Sequence, residues 1–229
     1  MSSRAEILKL ARLLGRDPDT FAYLETVSES DTRALRELVV ERLYASQGPA
    51  LTRLAAASKL LPTGLVATIG QRSFGPLLCA RVAGLLEPSR AADVAAKLPT
   101  PFLADVAVEL DPRRAHDVIG HVPPARVAEV AGELAARREY VTLGQFVGHI
   151  TPDALDAALE QLSDEDLLRT AFVLEDRDGL DELADLLGQE RLERLVEVAE
   201  RDPGLEEAGR ELLGHLSAER RAGIAATGR

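Results

Sequence analysis

Tryptophan is absent from this chain, and aromatic residues make up only 3% of it, with three Tyr and five Phe among 229 residues. A core with so few rings has to be filled by Leu, Val, Ile and Ala. That suits close helix packing better than sandwiches or barrels, which favour aromatic and β-branched residues. One cysteine, Cys79, excludes an intrachain disulfide and a thiolate metal cluster. No apolar run approaches the roughly 18–20 residues of a membrane helix; the best candidate, Pro76 to Leu86, is interrupted by Arg81. The N-terminus, Met1-Ser2-Ser3-Arg4-Ala5-Glu6, has no signal-peptide core. These absences predict a soluble protein of the reducing cytoplasm. Positive charge is also scarce: 27 basic residues face 38 acidic ones, for a net −11. That balance argues against a surface that grips nucleic-acid phosphates.

What is present is periodic. Leu86, Leu98, Leu110, Val122 and Leu134 stand twelve residues apart. Counting from each of them, place +6 holds Ala92, Ala104, His116 and Ala128, and place +8 holds Val94, Val106, Val118 and Val130. Place +9 holds Ala95, Ala107, Ile119 and Ala131, and proline recurs at +2 in Pro88, Pro112 and Pro124. The register extends back through Phe74 and Leu61, and resumes at Ile150, Leu162, Leu187 and Leu216. Apolar places at +5, +8, +9 and +12 form a helical stripe rather than a strand alternation. Proline at +2 costs no hydrogen bond in a first helical turn, so it starts each helix. Thr151 before Pro152 and Ser163 before Asp164 can cap. Each unit then reads as a helix of about nine residues, some 14 Å long at roughly 1.5 Å per residue. Helices so short do not persist alone in water. They must stack, successive ones roughly antiparallel, into an α-solenoid in which the small +6 residue allows close approach.

Upstream, the pattern predicts helices at about 3–15, 18–27 and 31–46, and Gly48-Pro49 opens another. The expected organisation is an N-terminal helical cap over 1–60 and a helical repeat over 61–229. No linker separates them, so they read as one continuous all-α domain.

The run Leu86 to Ala95, followed by Leu98-Pro99 and Leu110-Asp111-Pro112-Arg113-Arg114-Ala115, resembles the intracellular N-terminal domain of MgtE-type magnesium transporters. The likeness covers roughly 61–200. That family's domain is a right-handed superhelix of short helices, similar to parts of the flagellar motor switch protein FliG. The resemblance implies the same superhelix here and a binding role. In the family a CBS-domain pair and a membrane channel follow the domain. A chain ending at Arg229 has room for neither, so transport by this chain alone is not expected.

No catalytic motif stands out. Gly70, Gly75 and Gly84 are isolated rather than a phosphate loop, and Cys79 falls at a +5 core place. His116 occupies a place usually held by Ala, and Glu211 with His215 makes only two ligands. Arg at +4 and an acid at +7 recur as Arg90/Asp93, Arg114/Asp117 and Arg126/Glu129, which reads as ion pairs on a solvated face or as a ligand-binding ladder. The register breaks between Leu134 and Ile150, where the helix from Pro124 is expected to run on to about Arg138. Irregular insertions in solenoids tend to lie on binding faces, which makes Arg137, Arg138 and Tyr140 candidates for partner contact; altered curvature alone is the other reading. Residues 153–190 hold thirteen acids and two bases, a net −11 that equals the whole chain's. Within that segment Asp178, Asp181 and Asp185 can share one side of a helix. They are candidates for weak Mg²⁺ association, beside the readings of a solvated acidic face and of a surface for a basic partner. The expected function is a non-catalytic cytoplasmic module for protein–protein interaction, with a magnesium-responsive regulatory domain as the alternative. No cofactor is expected beyond weakly held Mg²⁺.

Overall fold

The computed structural model of the chain describes residues 4–45, 48–174 and 186–202, together with Leu205 and Gly209. The described residues form helices and turns and contain no strand, so the protein is all-α. The chain divides into two compact units, 1–53 and 54–229.

The first unit begins with α1 (Arg4–Leu13), then a 3-10 segment (Pro18–Thr26), then α2 (Glu29–Ala45). The 3-10 geometry replaces the α-helix expected over 18–27. Asp19, Thr20, Phe21 and Tyr23 are all weak formers of helix interiors, and Asp17 caps the segment by accepting the Asp19 N–H at 2.9 Å. Ile7, Leu10 and Leu24 make its small core. Beside it Glu6 is buried with two cations, Lys9 Nζ at 2.8 Å and Arg36 Nε at 2.9 Å. Burial alone would raise the Glu6 pKa, but Lys9 and Arg36 outweigh it and hold the carboxyl below its usual range.

Helix α3 (Gly48–Ser58) crosses the division between the units. The second unit continues with α4 (Thr63–Ile69), a π-helical turn (Gly70–Phe74), α5 (Gly75–Ala83), α6 (Pro88–Ala95) and α7 (Thr100–Glu109). Then come α8 (His116–Ile119), α9 (Pro124–Ala136), α10 (Tyr140–Phe146), α11 (Pro152–Leu159), α12 (Asp164–Phe172) and α13 (Gln189–Arg201). Proline stands in the first turn of α5, α6, α7, α9 and α11. Side chains cap helices of this unit: Glu87 caps α6, Thr151 caps α11, and Ser163 with Asp166 forms a capping box on α12.

Pro112 departs from the expected pattern, because no helix starts there. Asp111 Oδ1 accepts the Arg113 N–H at 3.1 Å and the carboxylate pairs with Arg114 at 3.3 Å. This turn delays α8 to His116. The π turn was also not anticipated; it closes at Gly75, whose φ of +74° belongs to the left-handed region that glycine tolerates. Helix α9 stops at Ala136, two residues short of expectation, and Arg138 takes a left-handed φ of +60°.

The +6 alanines Ala92, Ala104 and Ala128 are buried, as their size suggested. The other apolar places turn towards a common interior: Ala91, Val94 and Ala95, then Leu103, Val106 and Ala107, then Val127, Val130 and Ala131 all line one apolar cavity. The place-zero residues from Leu61 to Leu187 line it too, among them Leu86, Leu98, Leu110, Val122 and Leu134.

The +4 arginines differ from expectation. Arg126 closes the ion pair with its +7 acid, Glu129. Arg90 donates instead to the backbone carbonyls of Ser58, at 2.6 Å, and Leu61. Arg126 donates to the carbonyl of Leu98 and, at 2.7 Å, to Thr100 Oγ1. Arg191, at +4 from Leu187, donates to the carbonyls of Leu159, at 2.9 Å, and Leu162. These carbonyls lie at or just past the ends of α3, α6 and α11, where helical C=O groups have no partner within the helix. Each arginine thus ties its own helix start to a helix end 28 to 32 residues earlier.

Candidate interaction surface

Between Glu41 and Glu87 the sequence contains no acidic residue, while Arg42, Arg53, Lys59, Arg72 and Arg81 fall inside that run. Within the second unit, the same stretch exposes large apolar side chains. Leu60 is 86% exposed, and Leu65, Phe74, Leu77 and Leu85 are each at least 40% exposed. Lys59 and Arg72 are exposed among them. From residue 86 to 174 no large hydrophobic reaches comparable exposure. Bulky apolar side chains left in water along one stretch of chain point to a contact site. The combination of leucine, phenylalanine and the exposed Lys59 and Arg72 suits an acidic partner that also carries apolar groups. The absence of Asp and Glu over this run was the sequence signal for it, and the twelve-residue reading passed over it because Leu60, Leu65, Leu77 and Leu85 fall between its register places.

The three residues of the irregular segment are differently placed. Arg137 is tied down: Asp105 lies 2.6 Å away, Glu133 2.7 Å, and the Pro101 carbonyl accepts at 3.2 Å. Partial burial works against its charge, but the two carboxylates prevail and raise its pKa. Tyr140 is half-buried, donates to Asp166 Oδ1 at 3.1 Å, and has the Arg169 guanidinium 6.0 Å from its ring centre. Burial and the Asp166 carboxylate raise its pKa. Arg138 is exposed. The structure therefore leaves Arg138 as the most available of the three for an outside partner.

Asp178, Asp181 and Asp185 lie outside the described residues, as do Glu211 and His215. Among the described residues no three His, Cys, Asp or Glu side chains converge as metal ligands would. Cys79 lines the apolar cavity, and burial raises its thiol pKa, which leaves it protonated and a poor nucleophile. His116 is exposed and meets His149 edge to face, ring centres 6.0 Å apart. No helix among the described residues is long and apolar enough to cross a membrane. Comparison with known proteins finds no family model, no curated protein and no solved structure similar to this chain.

Proposed function

We propose that this chain is a non-catalytic, cytoplasmic helical-repeat module that binds a partner protein, its second unit a right-handed superhelix of short helices. The observation that carries the binding role is the acid-free stretch with exposed Leu60, Leu65, Phe74, Leu77 and Leu85. The repeat reading is supported by the arginines at place +4, which reach helix-end carbonyls at nearly constant sequence distance. The likeness to MgtE-type N-terminal domains supports the superhelical hand. The partner presents acidic groups around an apolar anchor, and Arg138 extends the contact if the partner reaches the α9–α10 corner.

The test places a photo-crosslinking residue at position 60, 65 or 77, with exposed Glu160 as control position. One and the same protein should be captured from the first three positions and not from the control, and Leu60→Asp with Arg72→Glu should abolish the capture. Equal capture at position 160, or capture indifferent to those substitutions, would refute the reading.

A further inference from the structure

The stripe that turns inward in the second unit encloses a cavity of about 330 Å³, within the size range of small-molecule sites. Its wall receives side chains from every helix from α3 to α13. A compact pocket of that volume would touch a few elements; one bounded by each helix in turn is drawn out along the stack. Among the described residues, valine, leucine, isoleucine and alanine make almost all of the wall, and no acidic side chain contributes to it. Water there lacks the two to four polar partners it needs. Among the described residues Phe74 and Phe146 are its only rings, too few to sandwich a flat ligand or a nucleobase.

Two polar groups on this wall are unusual. Thr170 is 6% exposed, and its buried Oγ1 has no hydrogen-bond partner. Arg126 Nε is likewise buried without a partner, although the rest of that guanidinium is engaged by Leu98, Thr100 and Glu129. The cavity also reaches the surface. Leu61 and Phe74 line it and are 37% and 40% exposed.

We propose that this cavity binds one extended aliphatic chain, the acyl chain of a free fatty acid or of a phospholipid, admitted past Leu61 and Phe74. The volume is room for on the order of ten methylene-sized groups, taking a methylene to be close to water in size. The aliphatic wall matches the chain along its length. The mouth of the cavity, Leu61 and Phe74, lies within the protein-binding stretch, but lipid binding is measured on the isolated chain and does not depend on the partner.

The test titrates the full chain, stripped of lipid, with laurate, a fatty acid of about the cavity's capacity, by isothermal calorimetry. Saturable one-to-one binding is expected. Val106→Trp and the milder Ala131→Leu fill the cavity and should weaken binding at least tenfold and about threefold, each variant first shown to be folded by circular dichroism. Leu134→Ala enlarges the cavity and should shift the preference towards longer chains. Native mass spectrometry after incubation with laurate or with phosphatidylcholine vesicles then separates the two sources by adduct mass. Absence of saturable binding, or binding unchanged in folded Val106→Trp and Ala131→Leu, would overturn the proposal.

Discussion

The Arg126 guanidinium donates to the backbone carbonyl of Leu98, 28 residues earlier in the chain and only 8% exposed. A buried carbonyl that loses a charged donor bears the cost of desolvation without compensation, about 1.5–3 kcal/mol. Arg126→Met should therefore lower the stability of the second unit by that amount, measured as a shift of the urea midpoint. Arg126→Lys should recover less than half, because an ammonium cannot span Leu98, Thr100 and Glu129 together. Glu129→Gln should leave the midpoint almost unchanged. If Arg126→Met matches Glu129→Gln, the carbonyl contact contributes nothing.

Ala104 and Ala128 are buried at place +6, where added volume has nowhere to go. Replacing either by Leu should overpack the helices and cost about 1–3 kcal/mol. Unchanged urea midpoints for both variants would show that the register is misassigned.

In the first unit, Glu6 holds Lys9 and Arg36 out of water. Its folded pKa lies below the unfolded value, so its contribution is present above the unfolded carboxyl pKa, near pH 4.3. It is lost as pH falls through the lower folded value. Glu6→Gln should cost the first unit about 3–5 kcal/mol at pH 7, since it leaves buried cations without their carboxylate. In thermal melts the gap between wild type and variant should narrow below about pH 4. A gap that stays constant down to pH 2.5 would contradict the assignment.

Arg138 sits at φ +60°, a conformation that costs an L-residue about 1–2 kcal/mol. Arg138→Gly relieves that strain at some entropic cost and should raise the stability of the second unit by up to about 1 kcal/mol. If Arg138 contacts the partner, the same change weakens partner binding while the protein becomes more stable. Loss of stability in Arg138→Gly would mean the side chain is a structural tie.

The inward stripe was legible because place zero, +5, +8 and +9 are local spacings, and Pro88, Pro124 and Pro152 mark helix starts by removing an N–H that needs no partner there. Ala104 was legible for the same reason. Arg90 and Arg126 were not, because local spacing suggests Asp93 and Glu129 as partners, whereas the carbonyls of Leu61 and Leu98 become neighbours only when helices stack. The tie of Arg137 to Asp105 was likewise hidden, since Asp105 lies 32 residues upstream. Pro112 looked like another helix start until the Asp111 side chain claimed the following turn.

The central claim is that the twelve-residue register decides which side chains of the second unit face its interior. Single cysteines placed in a Cys79→Ala background test it most directly, through the rate at which each thiol reacts with a small polar disulfide reagent. Ala91→Cys, Val106→Cys and Ala131→Cys, at inward places, should react at least a hundredfold more slowly than Asp93→Cys and Glu129→Cys, at outward place +7. Rates that ignore the register, with inward and outward thiols equally reactive, would contradict it.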